Sequence, residues 1–256
     1  METTKRILAA IPLLPAMGAG LVVAQVLRAA HRSDLPSFPN QEPSGTFGDP
    51  DAPPLRIVAV GDSSLTAPGV QHLDNCWIRR NALHLAERFR VELISLGVGG
   101  SKTQDVIEGQ LHAAQRLAPD LGVVSVGAND ALRGVRPASF RRNMRIILDR
   151  MTGASKAVVV IGMGDMSSVP RLPPTLKPWV SHRSRLFDRI SVEVAEEFPR
   201  AVKVDTSGVM TSAFFDDPSL FSPDQFHAGD TGHRVFGEAS LPAFLDAVAI
   251  CGFDGS

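Results

Sequence analysis

From Leu55 onward, short unbroken apolar runs alternate with longer stretches whose apolar positions recur at helical spacing. The short runs are Leu55–Val60, Val91–Leu96, Leu121–Val126, Ala157–Ile161 and Ala201–Val204. Each is continuous rather than alternating, as in strands covered on both faces. Amphipathic stretches at about 75–90, 103–117, 137–152, 180–198 and 231–249 read as helices. This regular alternation predicts an α/β unit, a five-stranded parallel sheet with helices on both faces. In open sheets of this kind functional groups gather beyond the carboxyl ends of the strands, so the loops after the runs carry the chemistry.

The pattern upstream is different. Lys5 and Arg6 precede an almost unbroken apolar run from Ile7 to Leu27, followed by Arg28, His31 and Arg32. As a helix this run spans about 31 Å, close to the thickness of a bilayer core. Residues 1–32 therefore read as a hydrophobic helix, either a membrane anchor or a signal peptide, and the expectation is an exported protein held at a membrane or secreted. Residues 33–54 carry six prolines and no apolar period, the composition of an extended linker. The catalytic unit is placed at 55–256.

Composition narrows the classes. The 256 residues hold 26 Lys and Arg against 27 Asp and Glu, a formal net charge of −1, so nothing attracts nucleic acid electrostatically. Two cysteines make neither a disulfide scaffold nor a four-thiolate zinc site. At helix ends running in the same direction, Cys76 and Cys251 are expected at opposite edges of the unit, too far apart to bridge. With no tyrosine, acid–base chemistry falls to other side chains.

Four loops carry candidates. Gly61-Asp62-Ser63-Ser64 follows the first run, a tight turn that presents serine at the sheet edge. Gly97-Val98-Gly99-Gly100 follows the second, where backbone N–H groups at a helix start suit a developing negative charge. Gly127-Ala128-Asn129-Asp130 follows the third; Asn129 offers an amide donor, and Asp130 a cap for the next helix. Asp224-Gln225-Phe226-His227 precedes the last helix, with a carboxylate three residues from an imidazole it can orient towards a serine. Together they supply a nucleophile, oxyanion donors and a base to one crevice.

In this order the blocks Gly61-Asp62-Ser63, Gly100, Gly127-Ala128-Asn129-Asp130 and Asp224-Gln225-Phe226-His227 resemble the GDSL, or SGNH, hydrolase family of esterases and lipases. The resemblance covers about 55–249 and implies a flavodoxin-like three-layer α/β/α sandwich. It implies Ser63 as nucleophile, His227 as general base and Asp224 as its partner. It also implies an oxyanion hole from the Ser63 and Gly100 backbone and the Asn129 side chain, with no cofactor or metal. Two departures stand out: Ser64 adds a second hydroxyl beside Ser63, and Ser95 stands where many members carry Asn.

The reaction implied is hydrolysis of a carboxylic ester with a short- to medium-chain acyl or acetyl group, by a monomer, on a small-molecule, lipid or glycan substrate. Two apolar segments, 163–180 and 209–221, are expected to wall the acyl group, with Met163, Trp179 and Phe221 as candidate contacts. The rivals are an acyltransferase using the same triad on a sugar or lipid hydroxyl, a catalytically idle tethered binding domain, and a metal-dependent phosphoesterase. The last would use Asp224, His227, Asp230 and His233, spaced by three, with Asp62 and Asp130.

Overall fold

The computed structural model describes residues 34–253. The hydrophobic segment expected over residues 1–32 lies outside them. Six strands form one sheet: β1 (Gly45–Phe47), β2 (Pro54–Gly61), β3 (Arg90–Ser95), β4 (Leu121–Ser125), β5 (Ala157–Ile161) and β6 (Ala201–Lys203), in the order β1-β3-β2-β4-β5-β6. The main helices are α1 (Ser63–Thr66), α2 (Trp77–Leu85), α3 (Thr103–Gly109), α4 (Leu111–Arg116), α5 (Ala128–Leu132), α6 (Pro137–Ala154), α7 (Lys177–Ala195), α8 (Val209–Asp216) and α9 (Asp230–Ile250). The five strands from β2 onward are parallel and match the five apolar runs in chain order. Their order, second-first-third-fourth-fifth, is the flavodoxin-like arrangement.

The five-strand expectation is corrected at one edge. β1 pairs antiparallel with β3, with Gly45 opposite Leu93 and Phe47 opposite Val91, so the sheet is mixed and six-stranded. This strand lies inside the stretch read as a linker. Three residues containing one glycine carry no apolar period; pairing with the open edge of β3, not local preference, makes them a strand. Phe47 also packs on the core, with the Arg79 guanidinium 4.8 Å above its ring.

Period-two alternation divides the core in two. Leu55, Ile57 and Ala59 of β2 pack against Trp77 and Ile78 of α2 and against Phe244 of α9. Val58 and Val60, pointing the other way, meet Phe140 and Met144 of α6 and Phe187 of α7. β4, β5 and β2 from Ile57 onward are buried on both faces, which is why their sequences show no polar alternation. Among the described residues no helix is long and apolar enough to cross a membrane. Cys76 and Cys251 are both free thiols.

In this strand order the chain turns from one side of the sheet to the other between β2 and β4. The ends of those two strands deliver Gly61–Ser63 and Ser125–Asn129, so the crevice opens where the two loops diverge.

Candidate active site

Ser63 is the first residue of α1, directly after the buried end of β2. Asp62 caps this short helix by accepting the Ser64 N–H at 3.0 Å. The turn is held from behind by Gln110, whose side chain accepts the Gly61 N–H at 2.7 Å and donates to the Gly61 carbonyl at 2.9 Å. Glycine is required at 61 because a Cβ there would run into the Ser125 carbonyl of the adjoining strand. Ser64, the neighbouring hydroxyl, is engaged: its Oγ shares a 2.6 Å hydrogen bond with Ser125 Oγ, and its carbonyl accepts from Trp77 Nε1.

The loop before α9 folds tightly on itself. Ser222 N–H donates to the His227 carbonyl at 2.7 Å, and Gln225 takes φ 60°, a left-handed conformation uncommon for a side chain of its size. This turn brings Asp224 back onto the donors that follow it. Its Oδ1 accepts from Ser222 Oγ at 2.6 Å and from the N–H groups of Phe226 and His227 at 2.8 and 2.9 Å. Its Oδ2 lies 2.7 Å from His227 Nδ1. Burial acts to raise the Asp224 pKa, but these hydrogen bonds, led by the His227 ring, outweigh it and hold the carboxyl well below the usual range. A carboxylate so held stays ionised and keeps the proton of His227 on Nδ1.

Asn129 lies in the first turn of α5, after Gly127, which adopts φ 137° as the helix cap. Its amide has no hydrogen-bond partner among the described residues. Asp130 does not cap the following helix, as the sequence suggests it would; it reaches across to α3, accepting from Thr103 N at 2.9 Å and Thr103 Oγ1 at 2.7 Å. That bond ties the Asn129 loop to the end of the Gly97–Lys102 loop. Burial raises the Asp130 pKa.

Ser63, Asn129 and His227 line one cavity of about 180 Å³. One side of it is apolar, with Met163, Met166, Val169, Met210, Phe214 and Phe221 on the wall. Of the candidate acyl contacts, Met163 and Phe221 are therefore in place. Trp179 is not on the cavity wall: it is 45% exposed on α7, with the Arg183 guanidinium 5.1 Å from its ring. Gly100 also lies off the wall, on the adjoining loop, at φ 83°. Asp62 lies on the wall and is buried, and that burial pushes its pKa up to about 6.

The Asp and His series proposed as metal ligands does not converge. Asp230 accepts from Gln71 N, His72 N and Asn75 Nδ2. His233 is buried and accepts the Trp77 N–H on Nδ1 at 3.2 Å, and burial lowers its pKa to about 4. Among the described residues no three His, Cys, Asp or Glu side chains are grouped to hold an ion. Sequence reading missed Gln110 and Ser125, which support the serine turn, because a lone glutamine or serine 49 or 61 residues away carries no local signal.

The described residues thus form a three-layer α/β unit that holds a turn serine, a carboxylate-bound histidine and a free asparagine amide in one crevice. The GDSL-like Lipase/Acylhydrolase family matches residues 59–235, most of the described unit, and the chain belongs to that family. It is 22% identical over 139 residues to Esterase TesA of Pseudomonas aeruginosa, a match covering 54% of this chain and 65% of that protein, just under two thirds of its length. The crystal structure of TesA superposes with a TM-score of 0.62 at 21% identity, covering 75% of this chain and 99% of that one. LAE5, described as an alpha/beta hydrolase enzyme from the metagenome of Lake Arreo, Spain, gives 0.62 at 21%, covering 77% and 97%. A catalytic mutant of Axe2, an acetylxylan esterase from Geobacillus stearothermophilus, gives 0.59 at 15%, covering 79% and 96%. At these identities the structural likeness establishes the fold.

Proposed function

We propose that the protein hydrolyses carboxylic esters through an acyl-enzyme on Ser63. The observation that carries this reading is the 2.7 Å pair between His227 Nδ1 and Asp224 Oδ2, in a cavity that Ser63 and Asn129 share. With Nδ1 committed to the carboxylate, Nε2 is the nitrogen left to take the Ser63 proton as Oγ attacks the ester carbonyl. The imidazolium then protonates the departing alkoxide. Water, deprotonated by the same nitrogen, then attacks the acyl-serine; the C–Oγ bond breaks, the imidazolium returns its proton to Ser63 Oγ, and the acid is released. Charge on the carbonyl oxygen during both steps falls to the Asn129 amide and the Ser63 N–H on the cavity wall, and the Gly100 N–H is assigned to it from the adjoining loop.

The acyl group would extend along Met163, Met166, Met210, Phe214 and Phe221. Flexible thioethers beside rigid rings suit a chain of several methylenes. In this reading the apolar run near the N-terminus delivers the unit to a membrane or across it.

The test is hydrolysis of an acyl-chain series by the full-length chain and by Ser63→Ala, with mass spectrometry after a fluorophosphonate. Turnover should fall to background in the variant while its melting temperature is kept, and the phosphonate should add to Ser63 alone. Ester hydrolysis at the unmodified rate by Ser63→Ala would discard the proposal.

A further inference from the structure

The stretch read as a linker holds two residues placed where only the active-site loops are. Because β1 runs antiparallel to β3, the chain entering β1 lies at the carboxyl end of the parallel sheet, the end that carries the site. Ser44 marks the entry, its Oγ accepting the N–H of Ser95, the last residue of β3. Just before it, Gln41 makes three hydrogen bonds to the turn that follows Ser63. Its N–H donates to the Thr66 carbonyl at 2.8 Å, and its Nε2 to the carbonyls of Ala67 at 3.0 Å and Val70 at 2.7 Å.

Ala67 is the residue this clasp secures. It sits at φ 41°, a left-handed conformation disfavoured for any residue with a Cβ, and its N–H donates to the Ser63 carbonyl at 3.0 Å. Asn40 adds a second hold, accepting from Thr66 Oγ1 at 2.7 Å. Its amide also occupies the open face of Gly99, where a Cβ would overlap it. Asn40 thus touches both the end of the nucleophile helix and the residue next to Gly100.

We infer that Asn40 and Gln41 are positioning residues for the reaction: they fix the Ser63 turn and the Gly99–Gly100 loop relative to each other, so that the nucleophile and the backbone oxyanion donors keep a common register. The inference rests on the reading of Ser63 as nucleophile. Neither side chain is on the cavity wall, so neither contributes to substrate binding. Their loss should act on the chemical step alone, because a misplaced donor lowers transition-state stabilisation without altering ground-state contacts.

The experiment compares full-length Asn40→Ala, Gln41→Ala, Thr66→Val and the Asn40→Ala/Thr66→Val pair with the unmodified chain. The readouts are kcat and KM on an acyl p-nitrophenyl ester, melting temperature, and the rate of Ser63 phosphonylation by a fluorophosphonate. Each alanine variant should lose about tenfold in kcat and in phosphonylation rate, with KM within about twofold. The double variant should be no slower than Asn40→Ala alone, since the two changes break one contact. Unmodified phosphonylation rates in both alanine variants overturn the inference. So does a loss of rate that appears in KM, or one that only follows unfolding. If the unmodified chain is not labelled at Ser63 at all, the reading beneath it falls as well.

Discussion

At the scale of single residues, the site depends on which groups are held and which are left free. Asn129 is free to follow charge as it develops, so Asn129→Ala should lower kcat by roughly 10²- to 10³-fold with little change in KM, as steady-state kinetics will check. Asp224 is the opposite case: its Oδ1 accepts three hydrogen bonds and its Oδ2 is paired with His227 Nδ1. Asp224→Asn loses the charge that fixes the His227 tautomer, and about a 10³- to 10⁴-fold loss in kcat is expected, together with a lower melting temperature at neutral pH because the depressed carboxylate pKa stabilises the folded chain there.

Asp62 makes a prediction in pH. Its carboxyl is pushed up to about 6 by burial, so between about pH 4 and pH 6 the folded chain binds a proton that the unfolded chain has released. Stability therefore falls as pH rises through that window and stays lowered above it. Asp62→Asn keeps an oxygen for the Ser64 N–H and removes the charge. Its melting temperature should match the unmodified protein near pH 4 and exceed it at pH 7, where the unfolding free energies should differ by about 2–3 kcal/mol. Equal melting curves at both pH values would show that Asp62 ionises without strain.

At the scale of elements, long-range pairing decides what local pattern leaves open. The runs of β2, β4 and β5 are legible because strands buried on both faces must be apolar throughout, and the helices because their apolar stripes face the sheet. β1 is not legible: Gly45, Thr46 and Phe47 have no pattern of their own and become a strand on the edge of β3. The same holds for the support of the Ser63 turn. Gly61 stands out as a turn glycine, yet the reason only glycine fits is the Ser125 carbonyl on a strand 64 residues further along. Gly61→Ala should wedge β2 from β4 and cost about 2–4 kcal/mol in chemical denaturation, with loss of activity.

At the scale of the whole molecule, the boundary of the folded unit moves. Sequence pattern begins it at Leu55, but β1, Ser44, Gln41 and Asn40 belong to its packing. Truncation to 55–256 should leave β3 as an unprotected edge and release the serine turn, giving lower activity per folded molecule and concentration-dependent aggregation by light scattering. Truncation to 34–256 should keep both activity and the monodisperse state.

The candidate site residues were legible in the linear chain as local motifs. Ser63, Asn129, Asp224 and His227 sit in short local motifs, each a turn at a strand or helix end, and turn chemistry is encoded within a few neighbouring residues. Local pattern likewise determined the five parallel strands and the helices between them. Only the tertiary structure decided which residues hold those turns in place, which side chains wall the cavity, and that Trp179 lies outside it. Those outcomes depend on contacts between segments tens of residues apart. Their partners, a glutamine at 110, a serine at 125 and an asparagine at 40, gain their meaning only once the sheet has brought them together.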